Sequence, residues 1–400
     1  MSKKQFIIIL GLFIVIGGYG LIRYQGESAS RQKAGSAPGE NVLGNLSVND
    51  IARIRIKQAQ GELNLHKKGD IWTVAEREDY PANFSQISEF LLKMKDLRAI
   101  QSIQVGASQR GRLEVEEPGK AGKTGTLVEF LDALEKPVRR FILGKSHTHG
   151  GAEASPMGEG GYPDGRFVLP SLDSDHVVVV SDPLSSAEPK PEQWLDKDFV
   201  KVEKPSSIAL ESSVATNSWK VSRETETGEW KLDAPKPGEQ LDASKVTSFN
   251  YSLSNPTFAD LATNSAYASS NLATGLHLAL TTFDHFTYDL TVATNTGENF
   301  YVSAKVSADL PKERTPGKDE KPADKTKLDK EFADKLKAWQ EKLKKEKSYE
   351  KWVYQISKWT IEPLLKERGQ LLVEKKPEPK PGDTNAPPVA PAISVPLPAK

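Results

Sequence analysis

The sequence predicts an α+β protein built as a tandem repeat of two similar units, each a mainly antiparallel sheet with a packed helix, behind one N-terminal transmembrane helix. Three observations predict it. First, apolar residues fall in i, i+2 pairs at Ile54 and Ile56, Leu63 and Leu65, then Trp72 and Val74, and the pattern returns at Ile208 and Leu210, Trp219 and Val221, then Trp230 and Leu232. Side chains two apart in a strand share a face, so each set describes three short strands over one core. Second, both sets run into a helix start with the same apolar spacing, at Ile87, Phe90 and Met94 after Asn83, and at Val246, Phe249 and Leu253 after Asp242. A lattice repeated about 155 residues apart reads as two copies of one packed unit. Third, Phe6 to Ile22 is uncharged and almost wholly apolar.

That apolar run would span roughly 25 Å as a helix against a hydrocarbon core of ~30 Å, with Tyr19, Tyr24, Lys3, Lys4 and Arg23 at the interfaces. Residues 1–24 are therefore expected to be an uncleaved anchor; Ser28, Ala29 and Ser30 make a weaker case for a cleaved signal. Lysines and arginines flank the run almost equally, and a short leader of this form keeps its start in the cytoplasm. The expected location is thus the cytoplasmic membrane, single-pass, with the bulk of the chain extracytoplasmic (periplasmic).

Residues 25–40, rich in Gly, Ser and Ala, predict a flexible tether. The first unit, 41–203, opens with strands near Ile51 to Lys57, Glu62 to His66 and Ile71 to Ala75, the last two joined at Lys67-Lys68-Gly69-Asp70. A helix from Ser85 to Leu97 follows, capped by Asn83 or Ser85 and striped by Ile87, Phe90, Leu91, Met94 and Leu97. Strands at Leu127 to Leu131, Val138 to Leu143, Arg166 to Leu169 and His176 to Val180 complete the unit, which closes with Trp194, Leu195 and Phe199. The second unit, 204–374, repeats this order: strands at Leu276 to Phe283, Phe286 to Val292, Asn299 to Val306 and Lys351 to Ile356, then Trp359, Ile361, Leu364 and Leu365.

Between its last two strands the second unit carries an insertion, residues 311–348. It opens as a charged link and continues as a helix with Leu328, Phe332, Leu336, Trp339 and Leu343 on one face. This face either docks on the body or forms a short seam with a partner, and Phe332, Leu336, Trp339 and Leu343 are the expected partner-binding residues. Residues 375–400, dense in Pro and free of aromatics, predict a disordered tail.

Composition excludes several functions. The 54 basic and 54 acidic residues balance, so no net field concentrates nucleic acid. There is no cysteine, which removes disulfides, thiolate catalysis, cysteine-ligated metals and lipoprotein processing. His147 and His149 with Glu153 or Asp164 have the donor types of a metal site, but their Gly-rich loop offers no rigid support and no metal is expected. Gly144-Lys145-Ser146 would end a phosphate loop only with Gly at 139, where Arg139 stands. Ser155, His149 and Asp164 are the types of a nucleophile, base and orienter, without a nucleophile elbow. Glu114, Glu116 and Glu117, and Asp173 and Asp175, read as solvated turns rather than paired catalytic carboxylates. Trp219, Trp230, Trp339, Trp352 and Trp359 include strand positions and read chiefly as core, against a sugar-stacking platform. No catalytic residue and no cofactor is expected.

Trp72 on a strand, the Tyr80-Pro81-Ala82-Asn83 lead-in to a helix ending at Leu97, the strand end at Leu143-Gly144 and the run Trp194-Leu195-Asp196 resemble the DUF4340 family of bacterial membrane-anchored proteins. The resemblance covers nearly all of the chain beyond the anchor and rests on structural motifs. It implies an extracytoplasmic accessory role beside gliding-motility-type ABC transport systems and supplies no catalytic residues. The loop from Lys145 to Gly165, the inserted helix and the proline-rich tail depart from the family pattern. The expected function is a non-enzymatic scaffold or adaptor with protein partners in a membrane complex. The alternatives are a binding module for cell-wall glycan or another ligand and, more weakly, a hydrolase using the 145–165 loop.

Overall fold

A computed structural model describes residues 37–119, 124–148, 163–262, 272–294, 297–317 and 320–374. The fold is α+β: two antiparallel sheets with a few helices. The first sheet contains β1 (Arg53–Gln58), β2 (Gly61–Lys68), β3 (Ile71–Val74), β4 (Tyr80–Pro81), β5 (Ala99–Gln104), β6 (Thr126–Leu131), β7 (Pro137–Thr148), β8 (Pro163–Leu169) and β9 (His176–Val180), in the spatial order β4-β3-β2-β1-β6-β7-β8-β9-β5. The second contains β10 (Pro205–Glu211), β11 (Trp219–Ser222), β12 (Lys231–Leu232), β13 (Asp260–Leu261), β14 (Leu276–Thr282), β15 (Phe286–Thr294), β16 (Asn299–Ala308) and β17 (Tyr354–Ser357), in the order β12-β11-β10-β14-β15-β16-β17-β13. The two orders run in parallel, position by position, apart from the extra edge strand β4.

The apolar pairs set the register. Ile54 and Ile56 lie opposite Leu65 and Leu63 on one side and Phe130 and Val128 on the other. Ile208 and Leu210 lie opposite Val221 and Trp219, and Leu280 and Leu278, in the same arrangement. All twelve side chains are buried, and a one-residue slip would turn each ladder's apolar face to solvent. Gly69 makes the tight β2–β3 turn with φ +62°, a conformation that costs a glycine little. On β6 the buried Glu129 accepts from Arg55 Nη1 at 2.7 Å and Arg140 Nε at 2.6 Å, its neighbours across the two flanking strands.

Helix α1 (Phe84–Lys95) starts where the Asn83 side chain accepts from Gln86 N at 3.1 Å. Its buried stripe of Ile87, Phe90, Leu91 and Met94 packs into the core. The corresponding region of the second sheet departs from the expected helix. Val246, Phe249 and Leu253 are buried as their spacing requires, but α2 covers only Ala243–Val246 before a 3-10 turn at Thr247–Asn250. Thr247 Oγ1 donates to Ala243 O at 3.0 Å and Ser252 Oγ to Ser248 O at 2.7 Å, and such side chains compete for helical backbone acceptors.

One apolar core continues through both sheets. At the joint, Tyr80 packs edge-on against Trp352, Phe258 and Tyr354, and Phe199 packs against Tyr354 with centroids 4.5 Å apart. Beside this aromatic seam Arg77, after β3, grips Asp260 on β13 with two bonds of 2.7 and 2.8 Å. A smaller cluster of Val105, Val115, Leu127, Ile142, Leu169 and Val177 forms a second apolar patch on the first sheet.

Helix α3 (Pro322–Lys347) forms the insertion, and α4 (Lys358–Ile361) follows β17. Near the C-terminal end Arg368 Nη2 donates to Glu239 Oε2 at 2.7 Å and to Ala234 O at 3.1 Å. Arg368 holds the Glu239 pKa at about 2, below the ordinary 4.5. A depressed carboxyl pKa stabilises the folded state above the unfolded value and loses that contribution as pH falls through the folded one. The contact should therefore hold at neutral pH and release between 4.5 and about 2. An NMR titration of the Glu239 carboxyl checks this; a midpoint near 4.5 would contradict it.

Among the described residues no helix is long and apolar enough to cross a membrane. The anchor expected over residues 1–24, most of the tether and the tail at 375–400 lie outside the described residues.

Candidate interaction surface

Helix α3 takes Pro at its first position, where no backbone donor is lost, and Asp324 follows in the positive first turn. Its C-terminal part is tied to the second sheet through Glu346, the one buried residue of the helix. The Glu346 carboxylate accepts from Lys201 N at 2.9 Å, Tyr288 Oη at 2.9 Å and Lys342 Nζ at 2.7 Å. Burial and the adjacent Glu346 charge push the Tyr288 pKa upward, so its hydroxyl stays a donor. Lys345 Nζ lies 2.6 Å from Asp198, and this pairing holds the Asp198 carboxyl below its usual range. Trp339 packs edge-on to His285 with centroids 5.7 Å apart, and Lys335 Nζ sits 4.5 Å above the indole. At the other end Arg314, in the preceding link, pairs with Glu320 and with Asp329.

Phe332, Leu336, Trp339 and Leu343 are all half-buried and share one stripe. Trp339 and Leu343 pack against the apolar core, because they lie next to the Glu346 anchor. Phe332 and Leu336 are not among the side chains packed there. Two of the four expected partner-binding residues are thus engaged within the molecule, and two remain half-exposed along the stripe.

The other sequence candidates separate. His147 Nδ1 lies 2.8 Å from Asp164 Oδ1, across the β7–β8 ladder, whereas His149, Glu153 and Ser155 lie outside the described residues. Asp175 pairs with its neighbour His176 at 2.7 Å. Among the described residues no group of three or more His, Asp or Glu side chains is placed to hold a metal. Trp72, Trp194 and Trp219 are buried, Trp230, Trp339 and Trp352 are half-buried, and Trp359 on α4 is 88 % exposed. An open, polar depression of 280 Å³ is lined in part by Gln58, Glu114, Thr126 and Arg166. Its guanidinium donates to Gly144 O at 2.8 Å, Leu184 O at 3.1 Å and Pro183 O at 3.4 Å. Those bonds make Arg166 a clip between β7 and the turn after β9, and burial lowers its pKa.

Two contributors to this surface, Glu346 and Tyr288, were not anticipated, nor was the Arg77–Asp260 pair at the joint between the sheets. Glu346 continues the stripe three residues beyond Leu343, so a charge at an apolar position was its signal. Tyr288 lies at a buried position of β15, where its hydroxyl needs a partner. Arg77 and Asp260 are distant in sequence, and nothing local marks them as a pair.

No curated protein and no solved structure matches the chain. The model of a domain of unknown function, DUF4340, matches residues 72–276, which runs from Trp72 on β3 through the rest of the first sheet to the start of β14. The match takes in more than half of the sequence and includes the Tyr80-to-Leu97 lead-in and helix, the Leu143-Gly144 strand and Trp194-Leu195-Asp196, and the chain belongs to the DUF4340 family.

Proposed function

We propose that this protein is a non-enzymatic, membrane-anchored scaffold or adaptor outside the cytoplasm, an accessory component of an ABC-type transport or gliding-motility-like complex. In this reading the two sheets are copies of one unit, supported by the shared strand order and the matching registers of Ile54 with Ile208 and Ile56 with Leu210. Phe6 to Ile22 anchors the chain, and confinement to the membrane raises its effective concentration for neighbouring subunits. The observation that carries the proposal is helix α3: it is fixed to the body near its C-terminal end through Glu346, while Phe332 and Leu336 remain half-exposed further along it. A long, firmly mounted helix with an apolar stripe suits a partner that supplies a complementary helix or groove.

The test is co-purification of the full chain from its native membrane, with Phe332→Asp and Leu336→Asp combined. The expected result is at least a tenfold loss of transporter subunits, with the thermal transition and helix content retained. Undiminished co-purification would contradict the assignment of this face.

The second reading, binding of cell-wall glycan, is favoured by one observation, the 88 % exposed indole of Trp359. An exposed flat ring stacks on sugar faces, and retention on isolated cell-wall material in the same experiment would support it. For the weaker hydrolase reading, the described part of the 145–165 loop supplies the His147–Asp164 pair.

A further inference from the structure

The four edges of the two sheets are unequal. β4, β12 and β13 are two residues long, and a strand that short offers little template for further pairing. β5 (Ala99–Gln104) is six residues long and carries neither a charge nor a proline, the usual devices that protect an edge. On its inner side it pairs with β9, Gln101 opposite Val179 and Ile103 opposite Val177, and Val105 N donates to Asp175 O at 2.8 Å. Backbone groups alternate sides along a strand, so Gln101 and Ile103 bond inward while Ser102 and Gln104 point their N–H and C=O outward. Among the described residues nothing bonds those outward groups. Among the described residues the chain covers only the start of this edge, where Gly39 N donates to Ala99 O at 2.7 Å and Ala99 N to Glu40 O at 3.0 Å. The bulge between Ala99 and Gln101 follows, with Ile100 54 % exposed.

We propose that this edge recognises a second copy of the same chain, two β5 strands pairing antiparallel about a two-fold axis so that the two nine-stranded sheets become continuous. An antiparallel pairing with Ser102 opposite Gln104 of the second copy lets each outward N–H and C=O exchange bonds, four in all, and places Ile103 opposite its own counterpart. The segment opposes no like charges when it meets itself, and a chain with 54 basic and 54 acidic residues has no net repulsion to overcome. The same uncharged edge would be a poor choice for a partner selected by charge.

Because the chain has no cysteine, a single introduced thiol reports unambiguously. In the full-length protein in detergent, Ile103→Cys should form a disulfide-linked dimer on mild oxidation, since opposed side chains in a non-hydrogen-bonded pair are close. A thiol at exposed Ser108 should not. Adding Ser102→Pro removes an outward donor without touching the β9 ladder and should cut dimer formation at least tenfold. Gln104→Lys, which keeps every backbone donor, should do the same if the proline variant melts early. Hydrogen exchange supplies the independent readout: the Ser102 and Gln104 amides should become protected as chain concentration rises. Equal crosslinking from position 108, dimers that survive both edge variants, or amides that stay fast at high concentration would overturn the proposal. Protection that appears only when another protein is added would assign the edge to a foreign strand and would overturn it equally.

Discussion

Replacing Trp194 with Ala is expected to destabilise the protein by about 4 kcal/mol, since truncating a fully buried aromatic leaves a cavity its surroundings cannot close. Trp194 is 0 % exposed and stands edge-on to Phe90 of α1 with ring centroids 5.4 Å apart. Its carbonyl accepts from Asn83 N at 2.8 Å, and Asp196 N donates to Pro81 O at 2.9 Å, so the segment that leads to the second sheet is laced to the start of α1. The loss should therefore reach both sheets rather than fraying one. Among the described residues the buried indole Nε1 has no hydrogen-bond partner, so the residue stabilises through volume and not through its donor. Trp194→Phe should accordingly recover most of the loss. Chemical denaturation of the two variants checks this, and a Phe variant as unstable as the Ala variant would contradict it.

The second large effect is expected at Gly165, where a Cβ would stand 2.1 Å from Val180 O and 3.2 Å from Val180 C. No side chain can tolerate that approach, and the obstacle is backbone of β9, which cannot rotate away. Gly165→Ala should cost about 3 kcal/mol or more, the upper range for overpacking, because β8 must separate from β9. Gly125 and Gly144 are alike: added Cβ atoms would lie 2.2 Å from Glu114 O and 2.4 Å from Leu113 O. These glycines let the 110–116 segment lie flat on β6 and β7. A denaturation midpoint for Gly165→Ala within error of wild type would show that the strands have slack the structure does not record.

Much of this architecture was legible because the chain alternates cleanly where one face is buried. Ile54 and Ile56, Leu63 and Leu65, and the run Leu127 to Leu131 marked their strands, and the structure pairs the first with the other two. The register that the structure shows keeps each of those alternating apolar faces on the core. β5 was missed because the bulge at Ile100 breaks the period and its outward residues, Ser102 and Gln104, are uncharged polars without a core face. β4 and β13 are too short to show any period. The helix expected after Asp242 shortened to α2 because Thr247, Ser248, Asn250 and Ser252 are poor helix formers in a stretch whose apolar spacing looked helical. The interaction surface was legible as a stripe from Leu328 to Leu343. Its division into a docked end and a half-exposed end was not, since that depends on Glu346 meeting Tyr288 and Lys201 from elsewhere in the chain.

The adaptor account is tested most directly by what touches α3 in the native membrane. A single cysteine at Phe332 in the otherwise cysteine-free chain, carrying a photoactivated crosslinker, should yield one dominant adduct with a transporter subunit, and the adduct should vanish with Leu336→Asp. Crosslinks only to solvent-exposed bystanders, unchanged by Leu336→Asp, or retention on cell-wall glycan that depends on Trp359 alone, would contradict the account.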